Sequence, residues 1–517
     1  MIALSLTDVA AAVGGALHDA DGTELVTGGV EFDSRRVGPG GLFVALPGER
    51  VDGHDYAAAA MAAGAAGVLA GRPVEVPAVV AGPADPGTAL GSYALAADAD
   101  GAGAAVLAAL ARLARALVDR LRPGGLRIVG ITGSSGKTST KDMVAALLDP
   151  LGPTVAPPGS FNNEIGHPWT VLRADGATRH LVLELSARGP GHVAALCRVA
   201  PPSVGVVLNV GSAHLGEFGS REAVALAKGE LVETLPTDGV AVLNADDPAV
   251  AAMAGRTAAR VVRFGRSAAA DVRAADVGLD SAGRASFRLV SSAGEATVTL
   301  AVHGAHQVGN ALAAAAVALE LGATPQHVAR VLGGYQPASR WRMEVTDRPD
   351  GLTVVNDAYN ANPESVRAAL HTLVAMAEGG RRSWAVLGPL GELGPATDRE
   401  HAEIGRLVVR LGVGRLVVVG EAARSMYRAA GAAPGAATQG KATQHKAEPV
   451  LAADVESALA LLRAELAPGD VVLVKASRTF GLERIADGLL DPTVPDATVP
   501  DATVPDATVP DATVPDA

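Results

Sequence analysis

The chain reads as an α/β protein of three domains and a tail, on three observations. Apolar β-branched runs alternate with helical patterns from about residue 104, and the alternation starts afresh after residue 336. At the head of the first series, a strand-like run enters a glycine-rich turn and then a helical pattern. The end is pure repetition, five copies of Thr-Val-Pro-Asp-Ala from Thr493 to Ala517. Alternation of this kind specifies parallel strands joined by crossover helices. At 517 residues the chain also exceeds what one ordinary core supports.

We therefore divide it into an N-terminal domain with its connection (1–103), a central domain (104–336), a C-terminal domain (337–490) and a tail (491–517). In the first, 41–46 reads as a strand, 56–66 as an Ala-rich helix and 81–103 as a flexible connection. In the second, a helix over 104–121 leads to strands at 126–131, 181–185, 204–210 and 240–244 and a helix at 310–321. In the third, strands are expected at 353–356, 384–387, 415–419 and 470–475, with a loop insertion at 431–449. A proline every five residues excludes helix and sheet interiors, so the tail is expected to be disordered.

Composition narrows the function classes. Net charge is −12, and no Lys/Arg stripe suits nucleic acid or an anionic membrane. The single cysteine, Cys197, excludes an internal disulfide and suits a reducing compartment. No basic segment precedes an apolar run at the start, and Arg112 and Arg115 interrupt the Ala-rich helix, so neither a leader nor a membrane span is expected. These features predict a cytoplasmic protein. Among 43 basic residues only six are lysine, so a retained lysine marks a place where an amine is required. Lys137, Lys228 and Lys475 fall within motifs; Lys141, Lys441 and Lys446 do not.

The strongest motif is Ile131-Thr132-Gly133-Ser134-Ser135-Gly136-Lys137-Thr138, with a helix expected from Ser139. Glycines let successive N–H groups converge on phosphate oxygens, and the helix N-terminus adds its positive end. Lys137 reaches the outer phosphates, and the Thr138 hydroxyl can bind Mg²⁺. Glu184 and His214 stand at the carboxyl ends of apolar strands, where open α/β sheets bind ligands. Taken singly, the two read rather as a surface strand end and a loop histidine; the phosphate loop upstream turns both toward a ligand role.

Further motifs follow in order: Asp33-Ser34-Arg35-Arg36, Phe161-Asn162-Asn163-Glu164-Ile165-Gly166, Glu184-Leu185-Ser186, Asn209-Val210-Gly211-Ser212-Ala213-His214, Ala227-Lys228-Gly229-Glu230, and Gly304-Ala305-His306-Gln307-Val308-Gly309-Asn310. Asn356-Asp357-Ala358-Tyr359-Asn360-Ala361-Asn362-Pro363, Gly391-Glu392-Leu393-Gly394 and Val474-Lys475-Ala476-Ser477-Arg478 complete the set. In this order, over residues 30–490, the chain resembles the Mur ligase family. Two places depart from the family pattern: Gln307 replaces an Asn, and Ser186-Ala187-Arg188 replaces a Gly-x-Asn type.

The resemblance implies a three-domain Mur ligase architecture, with a P-loop-type parallel sheet and a Rossmann-like C-terminal domain. It implies ATP bound by Gly133 to Ser139, with Asn310 on the adenine side, Asp357 on the ribose side and Arg340 closing on the phosphates. A pair of Mg²⁺ ions would be held with Thr138, Glu184 and His214, and Lys228 would carry a carbamate. That chemistry needs a neutral amine, which burial can supply and a guanidinium cannot. Ser34, Arg35, Asn162, Asn163, Ser186, Asn360, Asn362, Lys475 and Arg478 would contact substrates. Residues 360–363 read equally well as a turn before a helix, and Lys475 and Arg478 as helix-end charges satisfying carbonyls. The C-terminal motifs point to the family branch that joins D-alanyl-D-alanine to UDP-N-acetylmuramoyl-tripeptide, expected to act as a monomer. An amino-acid-adding branch and a non-catalytic ATP-binding regulator are the alternatives.

Overall fold

The computed structural model describes residues 1–48, 51–84, 98, 100–211, 215–433 and 448–491. The repeat tail, His214 and the 434–447 part of the expected insertion lie outside the described residues. Among the described residues, no helix is long and apolar enough to cross a membrane.

Among the described residues the chain forms three principal sheets. The first has five strands, ordered Ala16–His18, Ala78–Val80, Gly67–Ala70, Leu42–Val44 and Val30–Glu31, all parallel except the first pair. The third has six: Glu344–Asp347, Thr353–Asn356, Val471–Lys475, Ser383–Leu387, Arg415–Val419 and Glu448–Ala452, with only the first antiparallel to its neighbour. Pro449 therefore belongs to an edge strand and not to a loop, a place where its missing N–H is tolerated.

The central sheet has the expected parallel core and, beyond it, an antiparallel extension. Arg127–Thr132 is flanked by His180–Glu184 and Val204–Val207, and parallel pairing continues through Val240–Asn244 and Arg260–Gly265 to Val272–Leu279. Arg284–Ser291 and Gly294–His303 then add the antiparallel extension, and Thr154–Val155 pairs parallel outside His180–Glu184, making nine strands of mixed direction. Those strands alternate buried and exposed residues, as one-sided antiparallel strands do, and no continuous apolar run signalled them.

The helix Ala102–Leu121 ties the first sheet to the second. It buries Val106, Leu110, Leu113 and Leu117 along one stripe, and its alanines admit close neighbours on the remaining faces. Each buried leucine contributes about 2 kcal/mol. Arg112 Nε donates to Val13 O at 2.8 Å, anchoring the helix to the N-terminal domain. A second tie is Trp169, whose Nε1 donates to Val30 O at 2.7 Å and whose ring meets Phe32 edge-on. The helix after the glycine-rich turn runs Lys137–Leu148, two residues earlier than expected, because Gly136 takes the turn at φ 80.

Candidate active site

The carboxyl ends of three central strands converge where chain order reverses about Arg127–Thr132, the place where open α/β sheets bind ligands. A cavity of about 390 Å³ opens there, walled on its far side by the third sheet's loops.

Its floor is the phosphate loop. Gly136 allows no side chain: a Cβ there would lie 2.4 Å from Asn310 Oδ1. Asn310 thus sits against the loop, and its Nδ2 donates to Gln307 Oε1 at 2.8 Å, so the Gln at the departing position supports it. Asn209 shapes the loop from the neighbouring strand end. Its Oδ1 accepts from Ser134 N at 3.0 Å and Ser135 N at 2.9 Å, and its Nδ2 donates to Ser135 O at 3.1 Å. Although Asn209 lies in a quoted motif, sequence reasoning gave it no role. Its place, immediately after an apolar strand, was the available signal.

Lys137 Nζ donates to Gly133 O at 3.0 Å, folding the side chain over the loop. Burial pushes its pKa down, and the nearby Glu184 carboxylate opposes that shift. The Thr138 hydroxyl donates to Glu184 Oε2 at 2.8 Å, while Asn162 Nδ2 and Ser160 Oγ donate to Oε1 at 2.7 and 3.3 Å. Glu184 is only 1% exposed, so these donors are what make its burial tolerable. A hydroxyl and a carboxylate so close are hard oxygen donors that fit Mg²⁺, which takes one or two carboxylates and leaves the rest to phosphates and water.

Lys228 lies on the helix Arg221–Glu233 and is 2% exposed. Burial, with a smaller push from Lys137, lowers its pKa to about 7. That is the environment a deprotonable amine requires.

From the third sheet come Asp357, Asn360, Lys475 and Arg478, all lining the cavity. Lys475 Nζ donates to Asp357 Oδ2 at 2.6 Å and to Asn360 O at 2.8 Å, and Met343 N donates to Asp357 Oδ1 at 3.1 Å. Burial pulls the Lys475 pKa down against the Asp357 charge. Arg478 pairs with Glu483 at 2.6 Å and stacks over Trp341 at 4.1 Å.

Several expected positions differ. Arg340 is exposed beside the Trp341 ring and does not line the cavity. Arg342 takes that place, donating to Thr138 Oγ1 at 3.1 Å and lying over Tyr359 at 4.0 Å. Trp341 and Met343 at φ 58 and 52 reverse the backbone on both sides of it, which residue spacing did not reveal. Asn163 is outside the cavity wall; its Oδ1 accepts from Ile165 N and Gly166 N and starts the next helix. Asn362 caps the helix Pro363–Met376 through Ser365 N, and its Nδ2 crosses to Ser134 O at 3.2 Å. Ser186, Asn162 and Ser139 line the cavity. Ser34 and Arg35 do not: Arg35 is exposed and pairs with Asp33 at 2.8 Å on the N-terminal domain. Lys141, left without a role by sequence, is buried and donates to Pro157 O at 2.7 Å.

A strand–loop–helix phosphate site closed by a second α/β sheet defines a nucleotide-dependent enzyme of several domains. Three family descriptions match along its length: "Mur ligase family, catalytic domain" over residues 27–115, "Mur ligase middle domain" over 131–318 and "Mur ligase, glutamate ligase domain" over 341–478. The chain belongs to the Mur ligase family. It is 58% identical to the UDP-N-acetylmuramoyl-tripeptide--D-alanyl-D-alanine ligase of Mycobacterium bovis, over 95% of this chain and 98% of that one. Among solved structures it is similar to MurF from Acinetobacter baumannii, with TM-score 0.79 and 27% identity over 94% of this chain and 99% of the other. It also resembles MurF ligase from Thermotoga maritima in complex with ADP, with TM-score 0.72 and 29% identity over 89% and 97% of the two chains.

Proposed function

We infer that this chain is the ATP-dependent ligase that adds D-alanyl-D-alanine to UDP-N-acetylmuramoyl-tripeptide, making a peptidoglycan precursor in the cytoplasm as a monomer. The observation that carries it is the 58% identity to a ligase of that name across 95% of the chain. The phosphate loop, with Glu184 and Arg342 gathered on Thr138, supports it.

In this reading the terminal carboxylate of the tripeptide attacks the γ-phosphorus of ATP, ADP leaves, and an acyl phosphate forms. The amine of D-alanyl-D-alanine then attacks the acyl carbon and loses a proton as inorganic phosphate departs. The loop N–H groups and Lys137 hold the outer phosphates, and Arg342 meets the transferring group from the third domain. Asn310 and Asp357 serve the adenine and ribose sides. Asp357 is presented by Lys475, which accounts for a buried amine there. Ser34 and Arg35 receive the uridine end, while Asn162, Ser186, Asn360 and Arg478 face the peptide ends.

Thr138 and Glu184 would hold Mg²⁺, with His214 and a carbamate on Lys228 completing a two-ion set. Mg²⁺ would neutralise phosphate charge as it develops. The chain's own work is to align carboxylate and phosphate and to exclude water.

The test is phosphate release by the full chain with UDP-N-acetylmuramoyl-tripeptide and three acceptors in turn. Release that requires D-alanyl-D-alanine is expected. Release driven by diaminopimelate or glutamate would favour an amino-acid-adding ligase. ATP binding without release under all three conditions would leave a regulator.

A further inference from the structure

The Gly391-Glu392-Leu393-Gly394 run has no part in the steps above. In the structure it meets the short helix Leu215–Phe218 across the boundary between the central and third sheets. A Cβ on Gly216 would lie 2.8 Å from Gly394 N and 3.0 Å from its Cα, and one on Gly394 would lie 2.9 Å from Gly216 Cα. Side chains do not pack against backbone that closely, so the two main chains meet with nothing between them. The loop is bent to make this contact: Glu392 has φ 62 and Gly394 φ 52. For Glu the left-handed conformation costs about 1–2 kcal/mol, so the surrounding structure must hold it.

Each side of this contact is continuous in the chain with residues of the site. Gly391 and Glu392 line the cavity. Gly216 follows the strand-end segment whose Asn209 grips the phosphate loop. Nearby, polar contacts between the third domain and the loop include Arg342 to Thr138 Oγ1 at 3.1 Å and Asn362 to Ser134 O at 3.2 Å.

We propose that Gly216 and Gly394 form a glycine-only seam that sets how deeply the third domain closes over the phosphate loop. They are positioning residues: neither touches substrate, and they act by fixing where Arg342 and the Asp357–Lys475 pair stand. The inference rests on the ligase reading above. A methyl group in the seam would force the main chains apart by at least about half an ångström to regain ordinary contact. Bonds of 3.1 and 3.2 Å would then pass the useful hydrogen-bond range. Misplacement on the 1 Å scale can lower turnover by about a hundredfold.

Two variants of the full chain test the seam. Gly216→Ala adds a methyl in a helix, where alanine is favourable, and Gly394→Asn adds a side chain that tolerates positive φ. Both are expected to melt with the parent protein and to bind UDP-N-acetylmuramoyl-tripeptide with KM within about twofold, while kcat falls at least about tenfold, the lower range of such misplacement. Solution scattering should show both to be more extended than the parent. Gly176→Ala, which meets nothing within 4 Å, should match the parent in every measurement. Parental kcat and parental scattering in either folded variant would overturn the seam, as would a loss carried by KM alone. Should Gly216→Ala fail to fold, Gly394→Asn decides. A parent chain that does not ligate at all would refute the ligase reading, and scattering would still decide the seam.

Discussion

Replacing Lys228 with Met should make the protein more stable and inactive at once. The Lys228 ammonium is 2% exposed, and burial lowers its pKa from 10.5 to about 7. Between those values the unfolded chain binds a proton that the folded chain rejects. Wild-type stability therefore rises as pH climbs from the folded value to the unfolded one, and is flat below. Integrating that difference gives a penalty on the order of 4 kcal/mol near pH 7, shrinking to about 1 kcal/mol near pH 10. Lys228→Met removes the titrating group and with it the penalty. Urea unfolding in CO₂-depleted buffer should show the variant several kcal/mol more stable near neutrality, with the gain mostly gone near pH 10. Bicarbonate should stabilise the wild type alone, because a carbamate consumes the neutral amine. Turnover should be lost in Lys228→Met and Lys228→Arg, whereas acetate should partly restore Lys228→Ala by occupying the vacated space as an anion. An equal stability gain at both pH values would refute the burial argument, and an active Lys228→Arg enzyme would rule out the carbamate.

Three further outcomes are expected. Lys137→Ala should lower phosphate release at least about a hundredfold, the scale of losing one group that stabilises developing charge; a near-parental rate would refute the loop's assignment. Arg342→Ala should fall on a similar scale while Arg340→Ala stays within about twofold, since only Arg342 reaches Thr138; steady-state kinetics with ATP varied would expose the reverse order. Deleting residues 492–517 should leave melting temperature and turnover unchanged, because the repeat carries no apolar periodicity with which to bury a core; a fall of several degrees would show that the tail docks on the folded body.

The family, the phosphate loop and Glu184 were legible in the sequence because each depends on local order. A strand, a glycine turn and a helix placed in succession bring Gly133 to Thr138 together without help from the rest of the chain, and an apolar run ending in Glu puts that carboxylate at a strand's carboxyl end. The antiparallel extension escaped because half-exposed strands carry alternating residues, which resemble loop composition when read without their partners. Tertiary structure alone decided which arginine enters the cavity, since two left-handed residues outside glycine turn Arg342 inward and leave Arg340 in solvent. It also decided the division of labour among the asparagines: Asn163 starts a helix, Asn209 shapes the phosphate loop, and Asn362 does some of both from another domain. Their sequence positions are equivalent, each beside a strand or helix end. What separates them is the neighbour that folding brings within 3 Å or so of each amide. The low pKa of Lys228 has the same origin: sequence supplies the amine, and the core that closes around it removes the water which would keep it charged.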